Sequence, residues 1–208
     1  MRLHGYFRST AAYRVRIALA LKGIACERTY VNLLKGEQTA PAYRALNPQG
    51  RVPLLETDGF AIAQSPAILE YLEETHPEPP LLPGDAKSRA AIRAVSAVIG
   101  CDVHPLNNLA VLKYLTGSLG VSEEAKSAWY AHWVLEGFNA VEAMIAPAPF
   151  AFGAEPTMAD IYIAPQVYNA KRFDIPLDAY PRIRAVAAAC AAHPAFVTAA
   201  PETQPDAA

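Results

Sequence analysis

The chain has 208 residues, 52% of them hydrophobic and 18% charged. This excludes intrinsic disorder and suits one domain with a smaller partner, or two compact units sharing a core. The formal net charge of −2 removes the electrostatic basis for a dedicated nucleic-acid binder and leaves only local basic pockets to consider. Three scattered cysteines, Cys26, Cys101 and Cys190, are too few for a disulfide framework or a zinc site, so no metal centre is expected.

In chain order, the opening Met1 to Arg8 has no apolar signal-peptide core, and Arg2 to Phe7 reads as a short strand. Ser9 and Thr10 are cap-type residues. Tyr13, Val15, Ile17, Ala18, Leu19 and Leu21 follow in a helix that Gly23 ends. Cys26 to Val31 alternates as a strand. Asp58-Gly59, between the runs Val52–Thr57 and Phe60–Ala63, marks a hairpin whose tight turn needs positive φ. Ser65-Pro66 then supplies an N-cap and a first-turn proline for a helix striped with Ile68, Leu69 and Leu72. The order β-α-β, loop, β-β-α makes a small mixed sheet.

Prolines crowd His76 to Asp85, where no helix can continue. The expected division is therefore a first domain at 1–80, a linker at 81–85 and an all-helical domain at 86–208. Alanine, about a fifth of the chain, is densest in that second part. A helix from Ala86 passes Ile92, Val95 and Ile99 and must bend at His104-Pro105. Another starts at Ser122 with Glu123 and Glu124 in its first turn and is expected to bury Trp129, Trp133, Val141 and Ile145. Thr157-Met158-Ala159-Asp160 resembles a capping box and leads a helix to Ala170. Pro181 opens an alanine-rich helix ending near His193-Pro194, and the polar tail from Pro201 to Ala208 is expected to fray. The longest uninterrupted apolar run, Ala185 to Ala192, is far short of a bilayer span. A cytoplasmic protein without membrane contact is expected.

Several positions could carry chemistry. Val52-Pro53 follows the Asn47-Pro48-Gln49-Gly50 turn. Either the proline marks an edge or bulge, or a cis peptide turns the Val52 N–H and C=O outward to pair with an extended peptide. Ser65, behind Gln64, is either an ordinary cap or an anion site at a helix start. Ser9 is likewise either a cap or the donor of a hydrogen bond to a bound thiolate. Lowering a thiol pKa by two units takes about 2.7 kcal/mol. A hydrogen bond to a charged group gives about 1.5–3 kcal/mol and a helix terminus about 0.3–2 kcal/mol, so the second role is affordable. Residues 1–28 carry Arg2, Arg8, Arg14, Arg16, Lys22 and Arg28 against Glu27 alone. Most read as solvated or snorkelling, but Arg8 directly precedes the cap and suits a carboxylate. Arg172 is a second candidate, set against a dipole-complementing surface role. The stretch Cys101 to Asn108 offers polar groups to an interface or a ligand. No Gly-x-Ser-x-Gly elbow is present, which disfavours a Ser-His-Asp hydrolase.

The runs Ser9-Thr10-Ala11-Ala12-Tyr13-Arg14-Val15-Arg16-Ile17-Ala18-Leu19, Asn47 to Pro53, Gln64 to Leu72 and Pro156 to Asp160 resemble the zeta-class glutathione transferases. This family includes the maleylacetoacetate and maleylpyruvate isomerases. The resemblance covers nearly the whole chain in the right order. It implies a thioredoxin-like domain (βαβ-ββα) followed by an all-α domain, an α+β two-domain fold, in a homodimer. It implies glutathione as cofactor, held by Ser9, Thr10, Gln49, Val52, Pro53, Gln64, Ser65, His104 and Asn108. Val52 would pair with the cysteinyl backbone, Gln64 and Ser65 would hold the γ-glutamyl end, and Ser9 would be the thiolate partner. Arg8 and Arg172 would receive the carboxylates of a dicarboxylate substrate. The implied reaction is cis–trans isomerisation of a maleyl diketo acid to its fumaryl isomer in aromatic catabolism, such as tyrosine degradation. Maleylpyruvate isomerisation and general glutathione transfer are the alternatives. Many zeta enzymes have Ser-Ser-Cys where this chain has Ser9-Thr10-Ala11, so the only thiol available to the reaction would be that of glutathione.

Overall fold

The computed structural model describes residues 1–207. In chain order the elements are β1 (Arg2–Gly5), α1 (Thr10–Leu21), β2 (Glu27–Tyr30), α2 (Pro41–Leu46), β3 (Leu54–Thr57), β4 (Phe60–Ala63), α3 (Ser65–Thr75), α4 (Ala86–Ala97), α5 (Leu109–Gly117), α6 (Glu123–Met144), α7 (Met158–Arg172), α8 (Pro181–Ala192) and α9 (Pro194–Ala199). Two compact units result: Met1–Leu81 with the C-terminal segment from Ala192, and Leu82–Ala191.

In the first unit the strands pair in the order β2-β1-β3-β4. β1 and β2 are parallel, as a helical crossover requires, and the other two pairings are antiparallel. The β3–β4 turn places Asp58 and Gly59 at φ 47° and 82°, the left-handed pair that the Asp-Gly sequence anticipates. Leu3, Leu54 and Leu55 of the sheet are buried, as are Val15, Ile17 and Leu19 of α1 and Ile68, Leu69 and Leu72 of α3.

The basic residues of α1 depart from expectation. Helix α1 packs against both α3 and α9, and every residue from Ala12 to Leu19 is buried. A helix covered on all sides leaves no solvated face for its cations. Arg14 and Arg16 are therefore 1% and 4% exposed rather than snorkelling. Arg16 donates to the carbonyls of Ala199 (2.9 Å) and Phe7 (3.0 Å). Lys22 at the α1 C-terminus donates to Glu73 (2.8 Å) and to the carbonyls of His76 (2.6 Å) and Pro79 (3.0 Å). Arg16 and Lys22 thus tie separate stretches of the first unit together.

The tail also departs from expectation. Pro201–Thr203 and Pro205–Ala207 form 3-10 turns. Thr203 Oγ1 and Gln204 Nε2 each donate to the Ala200 carbonyl at 2.9 Å, and Asp206 accepts from the Phe7 N–H at 2.9 Å. Hydrogen bonding of its polar groups replaces fraying and brings this end of the chain into the first unit, where 86–208 had been read as one helical domain. Ala208 lies outside the described residues.

In the second unit α4 runs on into a π-helical turn, Val98–Val103, that ends just before His104. Gly137 of α6 faces Val103 so closely that a Cβ at that position would overlap the valine methyl. Trp129 and Trp133 are half-buried rather than core residues, and Trp129 Nε1 donates to the Leu106 carbonyl at 2.9 Å. Helix α7 opens with a full capping box. Asp160, wholly buried, accepts from Thr157 N (2.7 Å), Thr157 Oγ1 (2.8 Å) and Ala151 N (2.8 Å). Among the described residues no helix is long and apolar enough to cross a membrane.

Candidate active site

Three segments of the first unit present the expected residues. At the start of α1, Ser9 is the N-cap. Its N–H donates to the Tyr6 carbonyl at 2.9 Å, closing a turn, and its Oγ accepts from Ala12 N–H at 3.2 Å. A hydroxyl that accepts in this way keeps its own proton to donate. α1 has no acid in its first turn to take that proton. Arg8 is exposed, with its guanidinium carbon 4.9 Å from the Phe7 ring centroid, while Thr10 is buried.

The second segment leads into β3. The Val52–Pro53 peptide is cis. Val52 precedes the ladder, whose first β3 residue is Leu54, and neither its N–H nor its C=O has a hydrogen-bond partner among the described residues. Two buried side chains that sequence reasoning passed over hold the loop behind it. Asn47 Nδ2 and Tyr43 Oη each donate to the Arg51 carbonyl at 2.7 Å, and Asn47 Oδ1 accepts from Gln49 N–H at 3.1 Å. Burial pushes the Tyr43 phenol up to about 12, so it remains a donor at any physiological pH. The Asn-Pro-Gln-Gly turn is the only signal in the sequence that points to Asn47.

The third segment is the β4–α3 junction. Gln64, not Ser65, is the N-cap, and Ser65 is the first helical residue. The chain leaves β4 through Gln64 at φ 72°, a strained value for a residue with a side chain. Gln64 Nε2 donates to Gln49 Oε1 at 2.6 Å, joining two of the expected residues. Ser65 is buried, and its Oγ accepts a long hydrogen bond from Arg14 Nη1 at 3.5 Å. Because arginine has only donors, this contact leaves the Ser65 proton free to be donated elsewhere. The signal that could have found Arg14 was its setting: an arginine between Tyr13 and Val15 in a largely apolar helix.

The second unit carries the remaining candidates. His104 follows the π-helical turn, half-buried, with its N–H donating to the Ile99 carbonyl at 2.9 Å. Asn108 caps α5, with Oδ1 accepting from Ala110 N–H at 3.0 Å, which leaves its amide group as donor. Arg172 is exposed in the last turn of α7, its guanidinium carbon 5.4 Å from the Phe173 ring and 6.0 Å from that of Tyr168. Phe173 stacks on Tyr130 at 3.9 Å. Burial pushes the Tyr130 phenol up, and the Arg172 charge opposes the shift.

Of the cysteines, Cys26 is half-buried with its thiol pushed up by burial, Cys190 is buried with its thiol raised for the same reason, and Cys101 is exposed. Neither Cys26 nor Cys190 has the lowered pKa of a nucleophile. Among the described residues no group of three or more His, Cys, Asp or Glu is placed to hold a metal ion.

A mixed sheet with a cis-proline at the head of β3, followed by a helical unit, defines a thioredoxin-like domain joined to an all-α domain. The model of the glutathione S-transferase N-terminal domain matches residues 3–80, and that of the C-terminal domain matches residues 124–189. The chain is 53% identical to the maleylacetoacetate isomerase of Pseudomonas aeruginosa, over 99% of this chain and 98% of that one. It superposes with a TM-score of 0.97 and 48% identity on the holo structure of a zeta-class maleylpyruvate isomerase, covering 100% of both chains. A Methylobacterium extorquens maleylacetoacetate isomerase with bound malonate and GSH gives a TM-score of 0.95 at 36% identity, again over 100% of both chains. The chain belongs to the glutathione S-transferase family, in its zeta class.

Proposed function

We propose that this chain is a glutathione-dependent cis–trans isomerase that converts maleylacetoacetate to its fumaryl isomer in aromatic catabolism. The observation that carries the reading is the 53% identity to a maleylacetoacetate isomerase over 99% of the chain. It exceeds the 48% to the maleylpyruvate isomerase, which therefore ranks second as a substrate reading. The family resemblance further supports a homodimer in the cytoplasm.

The residues fit glutathione. The Val52 N–H and C=O, unpaired among the described residues, match the backbone of a bound peptide in the manner of an added strand. The start of α3, where the Ser65 hydroxyl keeps its proton to donate, suits the γ-glutamyl carboxylate. Gln64 and Gln49 add amides beside it, and Thr10, Pro53, His104 and Asn108 complete the proposed contacts. Bound glutathione supplies the thiol that adds to the cis double bond and leaves again after rotation, so it is not consumed.

The chain's own residues do the rest. Ser9 Oγ, fixed by Ala12 N–H, keeps its proton and donates a hydrogen bond to the thiolate, which favours the ionised sulfur near neutral pH, with the N-terminus of α1 adding its partial positive charge. Arg8 and Arg172 take the substrate carboxylates and stabilise the enolate-like negative charge that develops on the substrate as the thiolate adds and the double bond opens. Their exposure keeps both guanidiniums available to an incoming dianion. No protein base is required, because the thiol loses its proton to solvent before addition and elimination returns the thiolate.

The test supplies maleylacetoacetate and maleylpyruvate to wild type and Arg8→Ala, with glutathione and after its rigorous removal. Turnover is expected only with glutathione, with the higher kcat/KM for maleylacetoacetate. Arg8→Ala should lose about tenfold or more in isomerisation and less than about twofold in glutathione affinity. Turnover without glutathione overturns the reading. Conjugation of an apolar electrophile that survives Arg8→Ala while isomerisation is absent from wild type would make the chain a general transferase.

A further inference from the structure

The loop that presents Arg8 and Ser9 is gripped from behind by the end of the chain. The two peptide groups flanking the Phe7 Cα are both engaged. The Phe7 N–H donates to Asp206 Oδ2 at 2.9 Å, and the Phe7 carbonyl accepts from Arg16 Nη2 at 3.0 Å. Peptide groups are planar, so holding both planes fixes the φ and ψ of Phe7 and with them the direction in which the chain leaves toward Arg8. The turn from Tyr6 to Ser9 then carries that direction to the Ser9 hydroxyl through the 2.9 Å bond between Ser9 N–H and the Tyr6 carbonyl.

The grip has two anchor points. Arg16 is buried, and its Nε donates to the Ala199 carbonyl at 2.9 Å, so one guanidinium joins the loop to the root of the tail. Asp206 joins the same loop to the tip. Between them Pro201 is buried, and Thr203 and Gln204 bond back to the carbonyls of Thr198 and Ala200. The segment therefore forms a strap of fixed shape, and Asp206 lines one small depression together with Tyr6, Phe7, Arg16 and Gln204.

We propose that Asp206, carried on this C-terminal strap, is a positioning residue of the active site that aims Ser9 and Arg8 through Phe7. The inference rests on the glutathione-dependent reading above. A hydrogen bond to a thiolate is directional, and a small misplacement of the donor costs rate far more than it costs binding. A purely structural strap would lower stability and leave the chemistry of folded molecules unchanged.

The experiment compares full-length wild type, Asp206→Ala and Asp206→Asn, each saturated with glutathione and held well below its own thermal midpoint. It measures kcat for isomerisation, KM for glutathione and the pH midpoint of thiolate absorbance. Asp206→Ala should lower kcat about tenfold and raise the midpoint by about half a unit or more, with KM for glutathione within about twofold. Asp206→Asn keeps a carbonyl acceptor for the Phe7 N–H and should stay within about twofold of wild type in kcat. Wild-type kcat with an unshifted midpoint in Asp206→Ala, or an Asn variant that falls as far as the Ala variant, overturns the proposal. Failure of the underlying reading is separable, because Ser9→Ala run alongside would then leave kcat and midpoint unchanged.

Discussion

Helices α1 and α7 begin with the same device and put it to opposite uses. Each is capped by a hydroxyl residue, Ser9 in one and Thr157 in the other. In α7 the circuit is closed. Asp160 takes the Thr157 hydroxyl proton and two backbone N–H groups as well, and all of it is buried. In α1 the third helical position is Ala12, whose N–H is answered by Ser9 Oγ while no acid answers the Ser9 proton. A closed cap stabilises the fold and offers nothing to a ligand. An open cap contributes less stability and keeps a directed donor beside the positive end of a helix dipole. α3 begins in the open manner too, with no side-chain cap bond and no acid in its first turn.

The comparison breaks most clearly if the two caps fail in the same way. Ser9→Ala should cost about a hundredfold in isomerisation, the value of one hydrogen bond to an ionised sulfur, and only about 1 kcal/mol of stability. Turnover assays and urea unfolding on the same preparation test both halves. An equal loss of activity per folded molecule in a Thr157→Ala variant would erase the distinction.

Asp160→Ala should do the reverse. It strands two buried N–H groups and a hydroxyl, for a loss of about 2 kcal/mol or more, read as a drop of several degrees in thermal midpoint. The kcat of the molecules that remain folded should match wild type. A kcat that falls in proportion to stability would place this cap in the catalytic apparatus as well.

The sequence made the open cap visible and hid much of what supports it. Ser9, the Asp58-Gly59 turn and the Thr157–Asp160 box are legible because each is a local rule: a hydroxyl before a helix, a positive φ between strands, an acid three residues past a cap. Arg14 and Arg16 were misread as solvated because charge predicts exposure unless both flanks of the helix are covered. The cover on one flank comes from α9, about 180 residues away in sequence, as the bonds from Tyr13 to Phe196 and from Arg16 to Ala199 record. The tail was misread for the same reason: Pro201 to Ala207 has the composition of a frayed end, and its order comes from Phe7 and from carbonyls at the end of α9. Gln64 was passed over as the cap of α3 because nothing local announces a left-handed glutamine. Rules of short range were readable. Pairings set by tertiary contact were not.

A third helix start sharpens the distinction at the weakest end of the scale. α4 is capped by Asp85, whose Oδ1 accepts from Ser88 N–H at 2.9 Å and Ser88 Oγ at 2.8 Å. The circuit is closed as in α7, but it lies in solvent. Those bonds, led by the Ser88 N–H, hold the Asp85 carboxyl below its usual pKa. A depressed carboxyl pKa means that the cap's stabilisation is fully present above the unfolded value of about 3.9 and is lost as pH falls through the folded value. The thermal-midpoint gap between wild type and Asp85→Ala should therefore be constant from pH 7 down to about 5 and narrow below about 4. Activity at neutral pH should not change. A gap that stays the same to pH 3 would mean that Asp85 acts through shape rather than charge, and that closure of a cap in water is not an electrostatic matter at all.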